Sequence, residues 1–187
     1  MIKYHSVILK IIVIIAIIVF AFWLALYVPD NGYIRELVQK YGYFGILIAA
    51  TISSFNIVVP IPIVSFMPLF TELGFSFWGV VIIIVFGTLI GDSAAYFLGY
   101  TGRTLINEKE IKILRKLEHF RGKYPWAPLP ILFLFASFAP FPNEVLLIPL
   151  GFMRYKYLPI LITLVFGSFV FNILFSFGFL QLFKIFS

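Results

Sequence analysis

The sequence predicts an all-α integral membrane protein, an inverted repeat of two proline-broken re-entrant helical hairpins plus spanning helices. Three observations carry that prediction. Of the 187 residues, 62% are hydrophobic and 12% charged, with a mean hydropathy of +1.07. Apolar usage of about 45–50% is ordinary for a soluble domain, and the excess is what lipid-facing surface requires. Two apolar stretches interrupted by Pro-x-Pro, Pro60-Ile61-Pro62 and Pro140-Phe141-Pro142, lie 80 positions apart (residue 60 against residue 140). At the same offset Arg35 meets Arg115, Leu37 meets Leu117, Gly42 meets Gly122, and Val85-Phe86-Gly87 meets Val165-Phe166-Gly167. A duplicated hydrophobic segment broken by proline is the pattern of a transporter half and its copy. The third observation is the placement of charge, which decides between five plain spans and a re-entrant topology.

Five apolar stretches follow one another at 7–28, 43–70, 75–98, 126–153 and 157–183. The first, behind Lys3, His5 and Lys10, is long enough to cross a core of about 30 Å. It lacks an Ala-x-Ala-like cleavage site before Pro29-Asp30, so 1–29 is expected to be a retained N-terminal transmembrane helix rather than a signal peptide. Residues 30–187 then form one membrane domain of two pseudo-repeats, 30–107 and 108–187. The loop 99–125 holds Arg103, Lys109, Lys112, Arg115, Lys116, Arg121 and Lys123 against Glu108, Glu110 and Glu118, and such a cluster belongs on the inner side. Five plain spans would put Lys3, Lys10, Arg154 and Lys156 outside. If 43–72 and 126–153 each dip in and return, all of these lie inside and Asp30, Glu36 and Glu72 lie outside. Arg35, Lys40 and Lys184 are the exceptions. The expected setting is a prokaryotic plasma membrane, with the N-terminus inside and the C-terminus outside.

Backbone chemistry points the same way. Pro60 and Pro62 remove two amide donors and clash with the preceding turn; Pro68 adds to the interruption, as Pro140, Pro142 and Pro149 do in the second copy. Irregular backbone survives at membrane depth only when buried in protein or lining a wet cavity. A kinked spanning helix is the simpler alternative, and two breaks in register weigh against it. Between the copies, Ile111, Leu114, Leu117 and Phe120 recur every third residue, which predicts an amphipathic surface helix over 108–121.

Polar residues on these apolar segments are the site candidates. Thr88, Asp92 and Tyr96 share one helix face, and 80 positions on they become Ser168, Asn172 and Ser176. Asp92 is the sharpest of them, because an aspartate in a spanning helix costs about 2.5–3.5 kcal/mol on insertion scales and faces the bundle interior. The simpler alternative for it is a near-interface residue capping the turn at Tyr100–Gly102. Asn143 and Glu144 follow Pro142 at the second break, where Glu144 either caps the half-helix 144–152 or lines a cavity with Asn143. Asn56 is the polar counterpart before Pro60. Arg103 and Arg154 are topology charges or seats for a phosphate headgroup. Gly87, Gly91, Ala95 and Gly99, at four-residue spacing, predict close helix packing.

Enzyme chemistry finds no footing. No second intramembrane aspartate joins Asp92 in a protease-like dyad, and Gly167-Ser168 lacks both the Gly-x-Ser spacing and an intramembrane histidine, since His5 and His119 fall in polar flanks. There is no cysteine, no metal-ligand cluster, no P-loop and no dinucleotide fingerprint. No metal or cofactor is expected, and the net charge of +6 is a topology and headgroup signal rather than a nucleic-acid one.

With these pieces assembled, the chain resembles the DedA family of VTT-domain (SNARE-associated Golgi-type) membrane proteins. The matching residues are Val59-Pro60-Ile61-Pro62, then Gly87, Gly91-Asp92, Tyr96, Gly99 and Gly102, then Ser137-Phe138-Ala139-Pro140 with Asn143-Glu144, and Gly151 with Arg154. The likeness runs over 40–183. It implies an inverted-repeat fold with two re-entrant helices that moves polyprenyl phosphates or phospholipids between leaflets, with proton coupling in some members. The chain departs from the family pattern by carrying Asn56 and Ile63-Val64-Ser65 where members commonly hold acidic residues, and Ser137 and Asn143 where they hold arginines. Those charges do not carry over.

The function expected is translocation of a phospholipid or polyprenyl phosphate along a path formed by Asn56, Pro60, Pro62, Asp92, Tyr96, Pro140, Pro142, Asn143, Glu144 and Asn172. Expected partners are membrane lipids with anionic headgroups and a second copy of the chain. The rival readings are a proton-coupled carrier of a small polar solute, with Asp92 as proton site, and a non-transporting scaffold that recruits through its glycine-rich helix face.

Overall fold

The computed structural model describes residues 32–54, 63–105, 122–139 and 141–186, with Ile12, Ala16, Val19, Phe20 and Trp23 from the first apolar stretch. Those five positions are helical and exposed. The rest of that stretch, the amphipathic segment 108–121, and Asn56, Pro60, Pro62 and Pro140 lie outside the described residues. All regular structure among the described residues is helical. In chain order it comprises α1 (Gly32–Ser54), a 3₁₀ turn (Ile63–Phe66), α2 (Met67–Glu72), α3 (Phe77–Gly102), a 3₁₀ turn (Arg103–Leu105), α4 (Pro128–Phe138), α5 (Glu144–Phe152) and α6 (Tyr157–Phe186). Contacts divide the chain into two compact units, residues 1–88 with 172–187, and residues 89–171.

α3 and α6 are long and apolar enough to cross a membrane. Each presents an outward stripe of large apolar side chains at four-residue spacing: Trp78, Ile82, Phe86 and Ile90 on α3, and Leu158, Ile162 and Phe166 on α6. The two stripes are 80 positions apart, so the duplicated sequence repeats its outward face. Water would penalise such a surface and lipid does not.

In contrast, the proline-broken segments yield short helices. α4 has 11 residues and α5 has 9, so at about 1.5 Å per residue neither approaches the thickness of a bilayer core. The break between them is extended at Ala139 (ψ 123°), as expected for a residue preceding proline. Two prolines act differently from the expectation that they interrupt helix. Pro68 lies in the first turn of α2, where its missing amide has no helical partner to lose. Pro149 lies within α5, which continues past it at the cost of one backbone hydrogen bond.

Within the first unit, α1 bends at Gly42 (φ +52°, ψ −142°), a conformation glycine adopts readily. Residues on both sides of the bend, at the start of the broken segment, meet its end. Tyr43 Oη accepts the Ser76 amide at 3.2 Å, the Tyr43 and Phe75 rings stand 5.3 Å apart, and Gln39 Nε2 donates to the Leu73 carbonyl at 3.1 Å. Gly87 of α3 packs on α1, where a Cβ would sit 2.6 Å from that of Ala50 and 2.9 Å from the Leu47 carbonyl.

The second unit repeats these devices. Gly167 of α6 packs on α4, a Cβ there falling 2.7 Å from that of Ala136 and 3.4 Å from the Phe133 carbonyl. α2 and α5 end in the same cap. The amides of Gly74 and Phe75 bond to Thr71 and Phe70 carbonyls, and those of Arg154 and Tyr155 to Gly151 and Leu150 carbonyls, each 80 positions on. This is the Schellman arrangement, which requires a left-handed residue after the helix. Gly74 (φ +89°) supplies it in the first copy and Arg154 (φ +53°) in the second.

Candidate functional site

Asp92 lies in the middle of α3, 2% exposed. A carboxylate held there needs a donor, and Asn143 provides one, its Nδ2 donating to Asp92 Oδ2 at 2.9 Å. Asn143 can reach because it immediately precedes α5, where the proline-broken backbone turns. Glu144 opens α5 and is 5% exposed. Glu144 Oε1 has no hydrogen-bond partner among the described residues. Neither does the buried hydroxyl of Ser137, at the other side of the break. The second break therefore carries two buried carboxyl groups, an amide and a buried hydroxyl that has no partner among the described residues.

What presses α5 onto α3 is glycine. A Cβ on Gly99 would collide with the Ile148 carbonyl, and one on Gly151 with the Tyr96 carbonyl. This reciprocal crossing brings the backbones into direct contact, the geometry that small residues permit in membranes. Tyr96, 2% exposed, donates its hydroxyl to the Tyr155 carbonyl just after α5, and Ser93 shares a 2.7 Å hydrogen bond with Tyr157 at the start of α6. The Tyr96 ring also lies 5.1 Å from the Tyr157 ring, tilted by 41°. These contacts fix the face of α3 that carries Asp92.

The small-residue stripe does not serve a single neighbour. Gly87 faces α1 within the first unit and Gly99 faces α5 within the second; Gly91 and Ala95 between them are buried. The duplicated polar stripe is buried too. Ser168 is 5% exposed, Asn172 4% and Ser176 fully buried, the last two belonging to the first unit.

The two arginines differ. Arg103 is 3% exposed and donates Nη1 to the Phe152 carbonyl at 3.3 Å, a cationic cap on the C-terminus of α5. Arg154 is exposed, its guanidinium 5.4 Å from the centre of the Tyr100 ring. It lines a groove of about 450 Å³ with Gly122, Pro125, Trp126, Leu129, Tyr155, Lys156, Pro159 and Ile160. That lining draws on both ends of the second broken segment, from before α4 and after α5.

Sequence reasoning singled out Asp92, Asn143 and Glu144, and the structure brings these three together. It places Pro142 half-buried beside them. It missed the work of Ser93, Tyr155 and Tyr157, and the packing role of Gly151. The tyrosines carried a signal, since a polar ring at the start of an apolar helix looks for a partner. No group of three or more potential metal-ligating side chains occurs among the described residues. No known protein family's sequence profile matches the chain, and no curated protein or solved structure matches it either.

Proposed function

We propose that this chain is an integral membrane protein of two inverted, re-entrant hairpins that moves an amphiphilic lipid, a phospholipid or polyprenyl phosphate, between leaflets. The DedA-like motifs fit this reading. The observation that carries it is the cluster at the second break, where Asp92, Asn143 and Glu144 are buried with Glu144 Oε1 and Ser137 Oγ unpartnered among the described residues. Buried polar groups without partners are rare and costly, and ones that persist point to a ligand, water or ion that visits them. Re-entrance is supported by the meeting of each broken segment's ends, Tyr43 with Ser76 in the first copy and one groove shared by 122–129 and 154–160 in the second. The headgroup would travel along the polar break while acyl chains stay in the bilayer, beside the exposed apolar stripes of α3 and α6.

The test is lipid exchange in vesicles holding the purified full chain. The wild type is expected to expose inner-leaflet fluorescent phospholipid or polyprenyl phosphate to an outside quencher faster than empty vesicles. Asp92→Asn and Glu144→Gln should slow it at least tenfold without unfolding the chain. Wild-type exchange no faster than in empty vesicles, for either lipid class, overturns the proposal. The paired buried carboxyl groups also favour a second reading, a proton-coupled carrier of a small polar solute. Solute uptake that follows a pH gradient and ignores lipid identity would select it instead.

A further inference from the structure

We infer that the second break binds a sodium ion through oxygen ligands alone: the Glu144 carboxylate, the Ser137 hydroxyl and main-chain carbonyls at the end of α4. The inference goes beyond the lipid reading and does not need the chain to move lipid.

Three observations lead there. The first is a contrast among hydroxyls. Thr51, Thr88, Ser93, Thr101 and Thr163 each donate back to a carbonyl three or four residues earlier, the usual partner of a hydroxyl on an apolar helix. Ser137 lies near the end of α4 with the same opportunity and is fully buried, yet its hydroxyl has no partner among the described residues. Ser65 and Ser176 in the first unit share that condition, but no buried carboxylate accompanies them among the described residues of that unit.

The second observation is charge. Glu144, 5% exposed, also carries an unpartnered oxygen, so a carboxylate and a hydroxyl bracket the same break with nothing described to satisfy either. Asp92 differs, because its Oδ2 accepts from Asn143. A carboxylate withdrawn from water is costly until a positive charge meets it. The buried cation described in this unit, Arg103, donates to the Phe152 carbonyl at the opposite end of α5.

The third observation is backbone. In a continuing helix the Ala136 and Phe138 carbonyls would be taken by the amides of residues 140 and 142, and both are prolines. Ala139 is already extended, and its amide goes to Phe135. α4 therefore ends in carbonyls that lack their helical amides, at the negative end of the helix dipole. Carbonyls at the ends of interrupted membrane helices are recurrent sodium ligands. Oxygen donors without nitrogen or sulfur select a hard cation, and one free carboxylate oxygen among neutral ones matches a single positive charge better than calcium or magnesium.

The experiment follows thermal unfolding of the purified full chain in detergent while sodium chloride replaces choline chloride at constant ionic strength. Sodium at about thirty times its dissociation constant should raise the midpoint by about 4–8 °C. Glu144→Gln is expected to remove the response, and Ser137→Ala to weaken the apparent affinity about tenfold. Ser176→Ala, in the first unit, should leave it unchanged. Retention of radioactive sodium by the folded chain is read beside the midpoint, so that a variant of altered stability is still informative; the wild type should retain the ion and Glu144→Gln should not. A midpoint indifferent to the exchange of choline for sodium, or a sodium response kept in full by Glu144→Gln, overturns the inference. A response to micromolar calcium with none to sodium would assign the break to a divalent ion and overturn the sodium assignment. Failure of lipid exchange alongside an intact sodium response would remove the translocation reading and leave this one standing.

Discussion

Placing a methyl group at the α3–α5 crossing is the most quantitative perturbation the structure offers. A Cβ added at Gly99 runs into the Ile148 carbonyl and one at Gly151 into the Tyr96 carbonyl, in both cases backbone that no rotamer change can move aside. The helices must separate, and overpacking of this kind costs about 1–3 kcal/mol. For a chain of this length that corresponds to a thermal midpoint lowered by roughly 2–12 °C. Gly178 of α6 is the internal control, since nothing lies within 4 Å of its would-be Cβ. There alanine should be neutral or stabilising by up to about 1 kcal/mol. Gly87→Ala and Gly167→Ala fall between, their Cβ atoms meeting the methyl groups of Ala50 at 2.6 Å and Ala136 at 2.7 Å. Thermal unfolding in detergent, followed by tryptophan fluorescence, would rank the five positions. The reasoning fails if Gly99→Ala and Gly178→Ala unfold at the same temperature. The double variant Gly99→Ala/Gly151→Ala should cost less than the two single changes together, because one separation relieves both collisions.

Other consequences follow from single contacts. Asn143→Leu withdraws the donor from Asp92 and should destabilise the chain by about 1.5–3 kcal/mol, with Asp92→Leu on the same background recovering part of the loss; a thermal double-mutant cycle with no coupling between the two would contradict the bond. Tyr43→Phe removes the acceptor of the Ser76 amide, and a loss of about 1 kcal/mol in unfolding experiments is expected. Arg103→Met strips the cap from the Phe152 carbonyl and should cost about 1–2 kcal/mol, while Arg103→Lys restores part of it; equal stability of all three chains would discount the cap.

Much of the site was legible because its signals are local. A carboxylate in an apolar helix, and Asn-Glu directly after Pro-x-Pro, stand out against a hydrophobic background, and burial in the folded unit follows from the cost of showing them to lipid. The repeat was legible for the same reason, since offset 80 recurs in prolines, glycines and aromatics alike. What stayed hidden depends on register between helices. Nothing in the spacing of Gly87 and Gly99 says that one meets α1 and the other α5. Gly151 looked like part of a motif and turned out to be half of a reciprocal crossing. Prolines misled in detail, because their effect depends on where a helix begins: Pro68 starts one and Pro149 is tolerated inside one. Arg154 could be read as a charge but not as a left-handed residue, for that requires knowing where α5 ends.

The most direct test of the proposed hairpin architecture uses the absence of cysteine. Single cysteines at Tyr124 and at Lys156, both exposed, flank the second proline-broken segment, and an impermeant thiol reagent applied to intact and to opened cells reads their sides. The re-entrant account predicts that both react only after the cells are opened. Reaction of one cysteine from each side would mean that the segment crosses the membrane, and the inverted hairpins and the lipid path built on them would be lost.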